Sequence, residues 1–251
     1  MEERAFALHK MTWPEAEASL AQAKVGLVPV GSFEQHGPNG TFELDTGRAS
    51  GFAELLAARL YPEAIVAPAI NFGVSYHHMN FPGTITLRAE TFMSLVYDVV
   101  WSLKQHGLEK FLLLNGHGGN IPALGVLIVK LRQELGVQAA WTSFTSLASD
   151  VLKERVTSKS SGHACEGEIS QALHLAPHTV RREALSAGEF KGYPYPHLGQ
   201  GFQLGYAYRF DEITANGALG DATRASEELG QEIVEAALQR ALEFLEHFIA
   251  D

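Results

Sequence analysis

The chain of 251 residues is 46% hydrophobic and 19% charged, which is typical of a globular protein with one large core. Its formal net charge of −10 argues against binding to nucleic-acid backbones and to anionic membrane surfaces. The single cysteine, Cys165, excludes an internal disulfide and favours the reducing cytoplasm as the location. The N-terminal stretch lacks the apolar segment of a signal peptide, and no apolar run is long enough to span a membrane, so we expect neither.

Apolar runs and amphipathic stretches alternate along the chain. A helix predicted at residues 13–23 precedes a β-branched run at 25–30, whose lack of polar alternation is typical of a strand buried on both faces. Pro29 within that run favours an edge position or irregular pairing. The remaining signals predict strands at 64–70, 110–114 and 137–144, and helices at 46–60, 89–106, 121–135, 166–175 and 221–248. This order predicts one α/β domain over residues 1–251, with a mostly parallel sheet and helices on both faces.

Possible metal ligands follow several of these strands. Glu34, His36 and Asp45 come directly after the first strand. Later polar segments add further imidazoles and carboxylates: His77, His78, His117, His163, Glu166 and Glu168. Because a parallel sheet brings its strand ends together, we expect these groups to converge. Carboxylates with imidazoles favour Zn, Mn or Fe(II), and a bridging Asp45 would allow two ions about 3.5–4 Å apart.

Other interpretations of these segments stay open. The glycines around His117 (NGHGGN) could cradle a phosphate, as in a Rossmann-like nucleotide binder, but the usual glycine spacing and a Walker lysine are missing. Cys165, close to His163, could be a thiol nucleophile. His77 and His78 are adjacent, so in an extended chain only one of them faces inward. Four other histidines are expected to lie at helix ends or on the surface and not in a site: His106, His174, His178 and His247.

Four stretches together resemble the creatininase (creatinine amidohydrolase) family: GSFEQHGPNGTFELDT, GVSYHHMNFPGTITL, LLLNGHGGN and GHACEGEIS. The resemblance implies a three-layer α/β/α fold, hydrolysis of a C–N bond in a cyclic or linear amide, and a homohexamer. By position it implies that Glu34, His36, Asp45 and His117 are metal ligands, with Asp45 as the bridge. It also implies that Ser75 contacts substrate and that His163 transfers a proton. We add His78 and Gly118 to the expected substrate contacts.

The sequence departs from this family at informative positions. Creatininases have a glutamate ligand two residues after the N-G-H histidine, where this chain has Gly119. We expect Glu168 to replace it, as a metal ligand and as part of the catalytic machinery. Asn39 and Cys165 stand where the family has histidine and glycine. No tryptophan lies near the GHACEGEIS stretch to close over creatinine; the three tryptophans are Trp13, Trp101 and Trp141.

These observations predict a metal-dependent amidohydrolase that holds one or two ions, Zn and/or Mn, with Fe as a further candidate. A metal-activated water would attack a small creatinine-like, formamide-type or short peptide substrate, with His163 as the general acid. The competing hypothesis, motivated by Gly119, is a non-catalytic metal-binding protein that keeps the fold. A long Gly-, Pro- and Tyr-rich stretch at residues 176–220 is expected to be functional or an oligomer contact.

Overall fold

A computed structural model describes residues 6–158, 161–198 and 204–250 of the chain. Its centre is a four-stranded parallel sheet in the order β2-β1-β3-β4, which confirms the predicted sheet. The strands are β1 (Val25–Val30), β2 (Ala64–Val66), β3 (Lys110–Asn115) and β4 (Gln138–Ser143). Strand β2 ends at Val66 rather than at residue 70, shortly before Pro68, which has no N–H for the ladder.

Eight α-helices surround the sheet within the described ranges. They are α1 (Trp13–Leu20), α2 (Leu44–Arg59), α3 (Ala89–Gln105), α4 (Ile121–Leu135), α5 (Ser149–Arg155), α6 (Glu166–Leu175), α7 (Phe210–Ile213) and α8 (Glu227–Ala250). The six predicted helices are confirmed, whereas α5 and α7 were not predicted. Helix α8 begins at Glu227 instead of 221, because Asp221 caps a separate 3-10 turn. No helix of the described chain is both long and apolar enough to cross a bilayer.

Each face of the sheet covers its own hydrophobic core. Alternate residues of β1 point to opposite faces, so Leu27 packs with α2 and α8, and Val28 packs with α3 and α4. Both side chains are fully buried, as are their counterparts Leu112 and Leu113 in β3. The α/β/α layering is therefore confirmed.

The prediction that Pro29 marks an edge strand is wrong. Strand β1 is central, and Pro29 pairs in regular register with Leu114 of β3. The Pro29 carbonyl accepts a hydrogen bond from the Ile70 N–H on the other side. Since the nitrogen and oxygen of one strand residue face the same neighbour, the Pro29 nitrogen also faces that side, where β2 has already ended. The missing N–H therefore removes no ladder bond.

The sheet order places a crevice between the carboxyl ends of β1 and β3, where the winding of an α/β sheet reverses. The first turn of α2, which carries Asp45, fits against both strand ends because glycines follow them. A β-carbon on Gly31 would overlap the backbone of Thr46, and one on Gly116 would overlap the Asp45 carbonyl. These two glycines let helix α2 bring a carboxylate into the crevice.

The stretch 176–220 contains α7 and short 3-10 turns, and its residues 199–203 lie outside the described part of the chain. It pairs back onto the loop before α6 through a bridge between Leu219 and His163. The sequence also has a polar break at 158–161 before helix α6, and its residues 159–160 lie outside that part too. The stretch thus forms one wall of the crevice.

Candidate metal centre

Two histidines at the strand ends are each anchored by one ring nitrogen to a backbone carbonyl. His36 Nδ1 lies 3.2 Å from the Glu34 carbonyl oxygen, and His117 Nε2 lies 3.1 Å from that of Val74. A carbonyl only accepts, so these ring nitrogens carry the proton in the neutral imidazoles. His36 Nε2 and His117 Nδ1 are then left with free lone pairs, the arrangement that metal-ligating histidines have.

Both free nitrogens face carboxylates. Asp45 Oδ1 lies 3.3 Å from His36 Nε2, and Asp45 Oδ2 lies 3.4 Å from His117 Nδ1. Glu34 Oε1 lies 3.1 Å from His117 Nδ1. These separations match the roughly 3.3 Å edges of a tetrahedron whose metal–ligand bonds are about 2.0–2.1 Å.

The same cluster contains buried polar atoms without a partner. His36 Nε2 and Asp45 Oδ2 make no hydrogen bond, although both side chains are fully buried. Buried polar atoms without a hydrogen-bond partner are costly unless an ion or water satisfies them. Ligand atoms of Glu34, His36 and Asp45 lie within 4.8 Å of one another. The residues present therefore fit divalent metal ions.

Glu168 approaches the His36 side of the cluster. Its Oε2 lies 4.0 Å from His36 Nε2 and accepts a hydrogen bond of 2.6 Å from the Ala164 N–H. Glu168 lies in the first turn of α6, where the helix dipole favours a carboxylate. Together with His36 and His163 it forms a further group of possible ligands.

Protonation of the histidines in this cluster offsets the negative charge of the crowded carboxylates. Burial opposes a charge on His36, but Asp45 nearby outweighs it and raises the pKa of His36 to about 9. For the same reason Glu34 raises the pKa of His117 well above its usual value. Burial likewise opposes ionisation of Asp45, yet His36 and His117 hold its pKa well below the usual range. The negative charge of the cluster thus favours protonation of its histidines, and the same atoms could hold a metal ion.

Gln35 fixes the protons of two further histidines. Its amide orientation is set because its Nε2 donates to the Gly217 carbonyl at 3.0 Å and its Oε1 accepts from the Gly37 N–H at 2.7 Å. The second amide proton is therefore donated to His78 Nδ1 at 2.8 Å, which leaves the His78 proton on Nε2. His163 Nε2 donates to the main-chain carbonyl of Gln35 at 2.7 Å. His163 Nδ1 is consequently free, 3.6 Å from Glu34 Oε1.

The prediction that only one of His77 and His78 faces inward is wrong. Both line the crevice, because they lie in a 3-10 turn (Tyr76–His78) and not in an extended segment. His77 stacks parallel to His117 with ring centroids 5.5 Å apart. Burial lowers the pKa of His77 to about 4 and also lowers that of His78. Both rings are therefore neutral near pH 7.

Ser75 lies beneath the cluster and is fully buried. Its hydroxyl donates to Glu34 Oε2 at 2.7 Å, and it lies 3.2 Å from His117 Nε2. It is not among the described residues that line the cavity. Its geometry suits orientation of Glu34, and its predicted contact with substrate stays a prediction.

Above the cluster lies a cavity of about 640 Å³. Glu34, Asp45, His117 and Glu168 form its charged end. His78, His163 and Gly118, all predicted site residues, also line it, so the structure brings them together with the ligand cluster. Four aromatic residues of the 176–220 stretch also line it: Tyr193, Tyr206, Tyr208 and Phe210.

Arg48 was not predicted from the sequence. It lies one helical turn after Asp45 in α2 and is 2% exposed. Its Nη2 donates to Asp45 Oδ1 at 3.2 Å, to the Gly116 carbonyl at 2.8 Å and to Glu168 Oε1 at 2.5 Å. The i,i+3 spacing of Arg48 from Asp45 is the one feature of the sequence that could have predicted their contact. The burial that makes the residue important could not be known from sequence.

Three further residues considered in the sequence analysis lie in or next to the turn before α6. Cys165 is buried, and burial followed by the nearby Glu168 carboxylate raises the pKa of its thiol, which does not favour a nucleophile. Glu166 accepts hydrogen bonds from the Thr157 and Ser158 N–H groups, each at 3.1 Å. Asn39 donates to the Ala164 carbonyl at 3.0 Å and so braces the turn before α6.

Comparison with known proteins identifies the family. The creatininase family profile, described as creatinine amidohydrolase, matches residues 9–245. A mycofactocin precursor peptide peptidase of Mycobacterium tuberculosis is 34% identical over 218 residues, covering 84% of this chain and 80% of that protein. A 3-dehydro-scyllo-inosose hydrolase of Thermotoga maritima is 30% identical over 262 residues, covering 96% and 81%. The chain therefore belongs to the creatininase family, and the expectation of a hydrolase is confirmed.

Solved structures have the same fold. A putative creatinine amidohydrolase from Bacteroides fragilis superposes with a TM-score of 0.86 at 23% identity, covering 99% of this chain and 98% of that one. Creatininase structures described as a Mn form and a Zn–Zn type superpose with TM-scores of 0.78 and 0.77 at 24% and 23% identity, covering 98% and 99% of this chain and all of each of theirs. The Zn and Mn belong to those proteins; this chain has a cluster of carboxylates and imidazoles that could hold metal ions.

Proposed function

We propose that this protein is a metal-dependent amidohydrolase that cleaves a C–N bond of a small cyclic or linear amide. The carrying observation is that Asp45 presents its two carboxylate oxygens to two different histidines, at 3.3 and 3.4 Å. A single structural ion would not require this division. It is the arrangement expected of a carboxylate that bridges two ions.

Two ligand sets follow from this division. Glu34, Asp45 and His117 would hold one ion, since Glu34 Oε1 and Asp45 Oδ2 lie 3.1 and 3.4 Å from His117 Nδ1. His36, Asp45 and Glu168 would hold the second, with Glu168 in place of the ligand missing at Gly119. Zn and Mn suit this mixture of imidazoles and carboxylates, and Fe remains a sequence-based expectation.

When bound, such ions lower the pKa of water and polarise a carbonyl group. The protein's own groups would then move protons and orient the amide. His163 has a free Nδ1 at the cluster and can accept a proton there and pass it to the leaving nitrogen. His78 lines the cavity with its proton on Nε2, 3.5 Å from Glu34 Oε1, and could donate it to a substrate oxygen. Gln35 keeps both imidazoles in the tautomers that these roles need.

Three substrate groups were expected: creatinine-like, formamide-type and short peptide amides. Curated relatives include peptide peptidases and, over 44% of this chain at 32% identity, a creatinine amidohydrolase of Pseudomonas putida. The wide cavity favours substrates larger than creatinine. A cytoplasmic location and a homohexamer stay part of this proposal, and a mass measurement in solution tests the second.

The test measures metal content and hydrolysis on the same samples. Zn, Mn and Fe are supplied separately to the metal-free protein, and lactams, formamides and capped peptides are offered to each form. Glu34→Gln and His117→Ala should each lose an ion and reduce hydrolysis by at least about a hundredfold. His178→Ala, an exposed histidine, is the matched control and should change neither quantity. Full metal content and full activity in both cluster variants would refute the assignment.

Glu168→Gln separates the two ligand sets. It should lower the metal content to about one ion per chain. An unchanged content of two ions would show that Glu168 is not a ligand, while the Glu34 set could still stand. A variant with two ions and no hydrolysis would leave Glu168 a role in proton transfer only.

A further inference from the structure

One part of the cavity lining, next to the candidate metal centre, is built from aromatic rings. Phe210 packs on His78 at 4.1 Å and on His163 at 4.9 Å between ring centroids, so the wall starts directly beside the cluster. Tyr208 continues it at 6.4 Å from Phe210, and Tyr193 lies 5.7 Å beyond Tyr208. Tyr206 adds a fourth ring. We call Tyr193, Tyr206, Tyr208 and Phe210 the aromatic wall.

The wall is anchored yet accessible. Phe210 is 8% exposed and packs with Ile213 and Leu219 in a small hydrophobic cluster that Tyr193 and Tyr208 join from the edge. Tyr206 is 47% exposed. Rings that are fixed at one end and open at the other lose little conformational entropy when a ligand stacks on them.

The described lining of the cavity offers an anionic ligand no counter-charge outside the candidate metal centre. Its acidic lining residues are Glu34, Asp45 and Glu168, all members of the candidate metal centre. None of the described residues that line it is lysine or arginine. Arg48 contacts the carboxylates but does not line this cavity. A carboxylate, phosphate or sulfonate on the substrate would find no ion pair with these described residues away from the metal ions.

The cavity is also larger than the reacting group requires. About 640 Å³ is the size of pockets that hold drug-sized ligands. Gly118 and Gly119 give its floor no side chains, and a β-carbon on Gly118 would meet no atom within 4 Å. An amide at the metal centre therefore leaves room for a second group against the aromatic wall.

We propose that the aromatic wall binds an uncharged aromatic ring of the substrate, whose amide lies at the metal centre. This inference rests on the proposed function. Aromatic rings stack or meet edge to face at centroid separations of 4.5–7 Å, the spacing that the wall itself shows. Each such ring–ring contact stabilises the complex beyond the burial of apolar area, whereas an aliphatic substituent is stabilised by that burial alone.

To test this inference, the binding of four probes to the Zn-loaded protein is measured by NMR titration. The probes are N-acetyltyrosinamide, N-acetylalaninamide, N-acetyl-4-sulfophenylalaninamide and myo-inositol. N-acetyltyrosinamide should bind about tenfold more tightly than the alanine and sulfonated probes. Inositol, which offers a ring without π electrons, should bind no more tightly than the alanine probe. Equal affinities, tighter sulfonate or inositol binding, or no saturable binding of the tyrosine probe would overturn the inference.

Variants localise the ring to the wall. Tyr208→Ala should bring the preference for the tyrosine probe over the alanine probe below about threefold, whereas Tyr208→Phe keeps the ring and the preference. Tyr206→Ala, at an exposed position, provides a second variant if Tyr208→Ala folds poorly. A preference that survives both alanine variants contradicts the wall as its origin. Hydrolysis is scored separately, so ring binding without turnover would count against the proposed function alone, and turnover without ring preference against this inference alone.

Discussion

Arg48 donates a hydrogen bond of 2.5 Å to Glu168, and this contact joins helix α2 to helix α6 beneath the candidate metal centre. The same guanidinium nitrogen contacts Asp45. One buried cation therefore orients the proposed bridging carboxylate and the carboxylate that would replace the family's missing ligand. Such outer contacts commonly change metal affinity by 10–100-fold when they are removed.

Arg48→Met should weaken binding of the second ion by at least about tenfold, because Glu168 loses the donor that fixes its Oε1. Arg48→Lys keeps the charge but not the planar fork and should give an intermediate loss. Titration with a competing chelator measures both ions separately. Arg155→Met, at an exposed arginine paired with Glu232, is the matched control. Equal weakening of both ions would indicate a general structural defect instead.

The two glycines after His117 should respond very differently to alanine. A β-carbon on Gly119 would overlap the Val74 carbonyl and His117 Nε2, so Gly119→Ala should cost about 1–3 kcal/mol of unfolding free energy. Gly118→Ala meets open space and should stay within about 0.5 kcal/mol. Urea unfolding of the metal-free proteins measures both.

The same clash predicts that restoring the family's glutamate will fail. Gly119→Glu should lower stability without adding metal, because its side chain cannot leave the backbone without displacing His117. A stable Gly119→Glu protein that binds an additional ion would show that the loop adjusts and that this explanation for the departure is wrong.

Metal binding should release protons. The pKa of His36 is raised from 6.5 to about 9, so its ring is protonated at pH 7.5 in the metal-free protein and must lose that proton to ligate. His117, with its pKa also raised, adds a second proton. Calorimetry of Zn binding in two buffers of different ionisation enthalpy should therefore give about two protons at pH 7.5, and fewer above pH 9.

The raised pKa of His36 also determines how the stability of the metal-free protein depends on pH. Because folding raises the pKa of His36, the resulting stabilisation is complete below pH 6.5 and is lost as the pH rises through about 9. Thermal midpoints of the chelator-treated protein should fall over that window. Zero proton release, together with a midpoint that does not fall, would contradict the protonated cluster.

Cys165→Ala should retain full hydrolysis and full metal content. The thiol is buried, its pKa is raised, and it does not line the cavity of the metal centre. Loss of activity with unchanged stability and unchanged metal content would revive the thiol nucleophile. Cys165→Ser, which is more polar in a buried position, separates a packing defect from a chemical role.

Local patterns predicted the fold and the ligand cluster because they lie in short, ordered segments. The β-branched run of β1 and the polar loop after it placed Glu34 and His36 at a strand end, and parallel pairing then implied His117 beside them. The tautomers set by Gln35 could not be predicted, since its partner Gly217 is far away in the chain. The aromatic wall likewise depends on how the 176–220 stretch returns to the crevice, which no periodicity encodes.

Anomalous diffraction from crystals of the Zn-loaded protein tests the central claim most directly. The account predicts two peaks per chain, one contacting Asp45 Oδ1 with His36, the other contacting Asp45 Oδ2 with His117. Peaks that lie elsewhere, or a single ion held by both Asp45 oxygens at full occupancy, would contradict it.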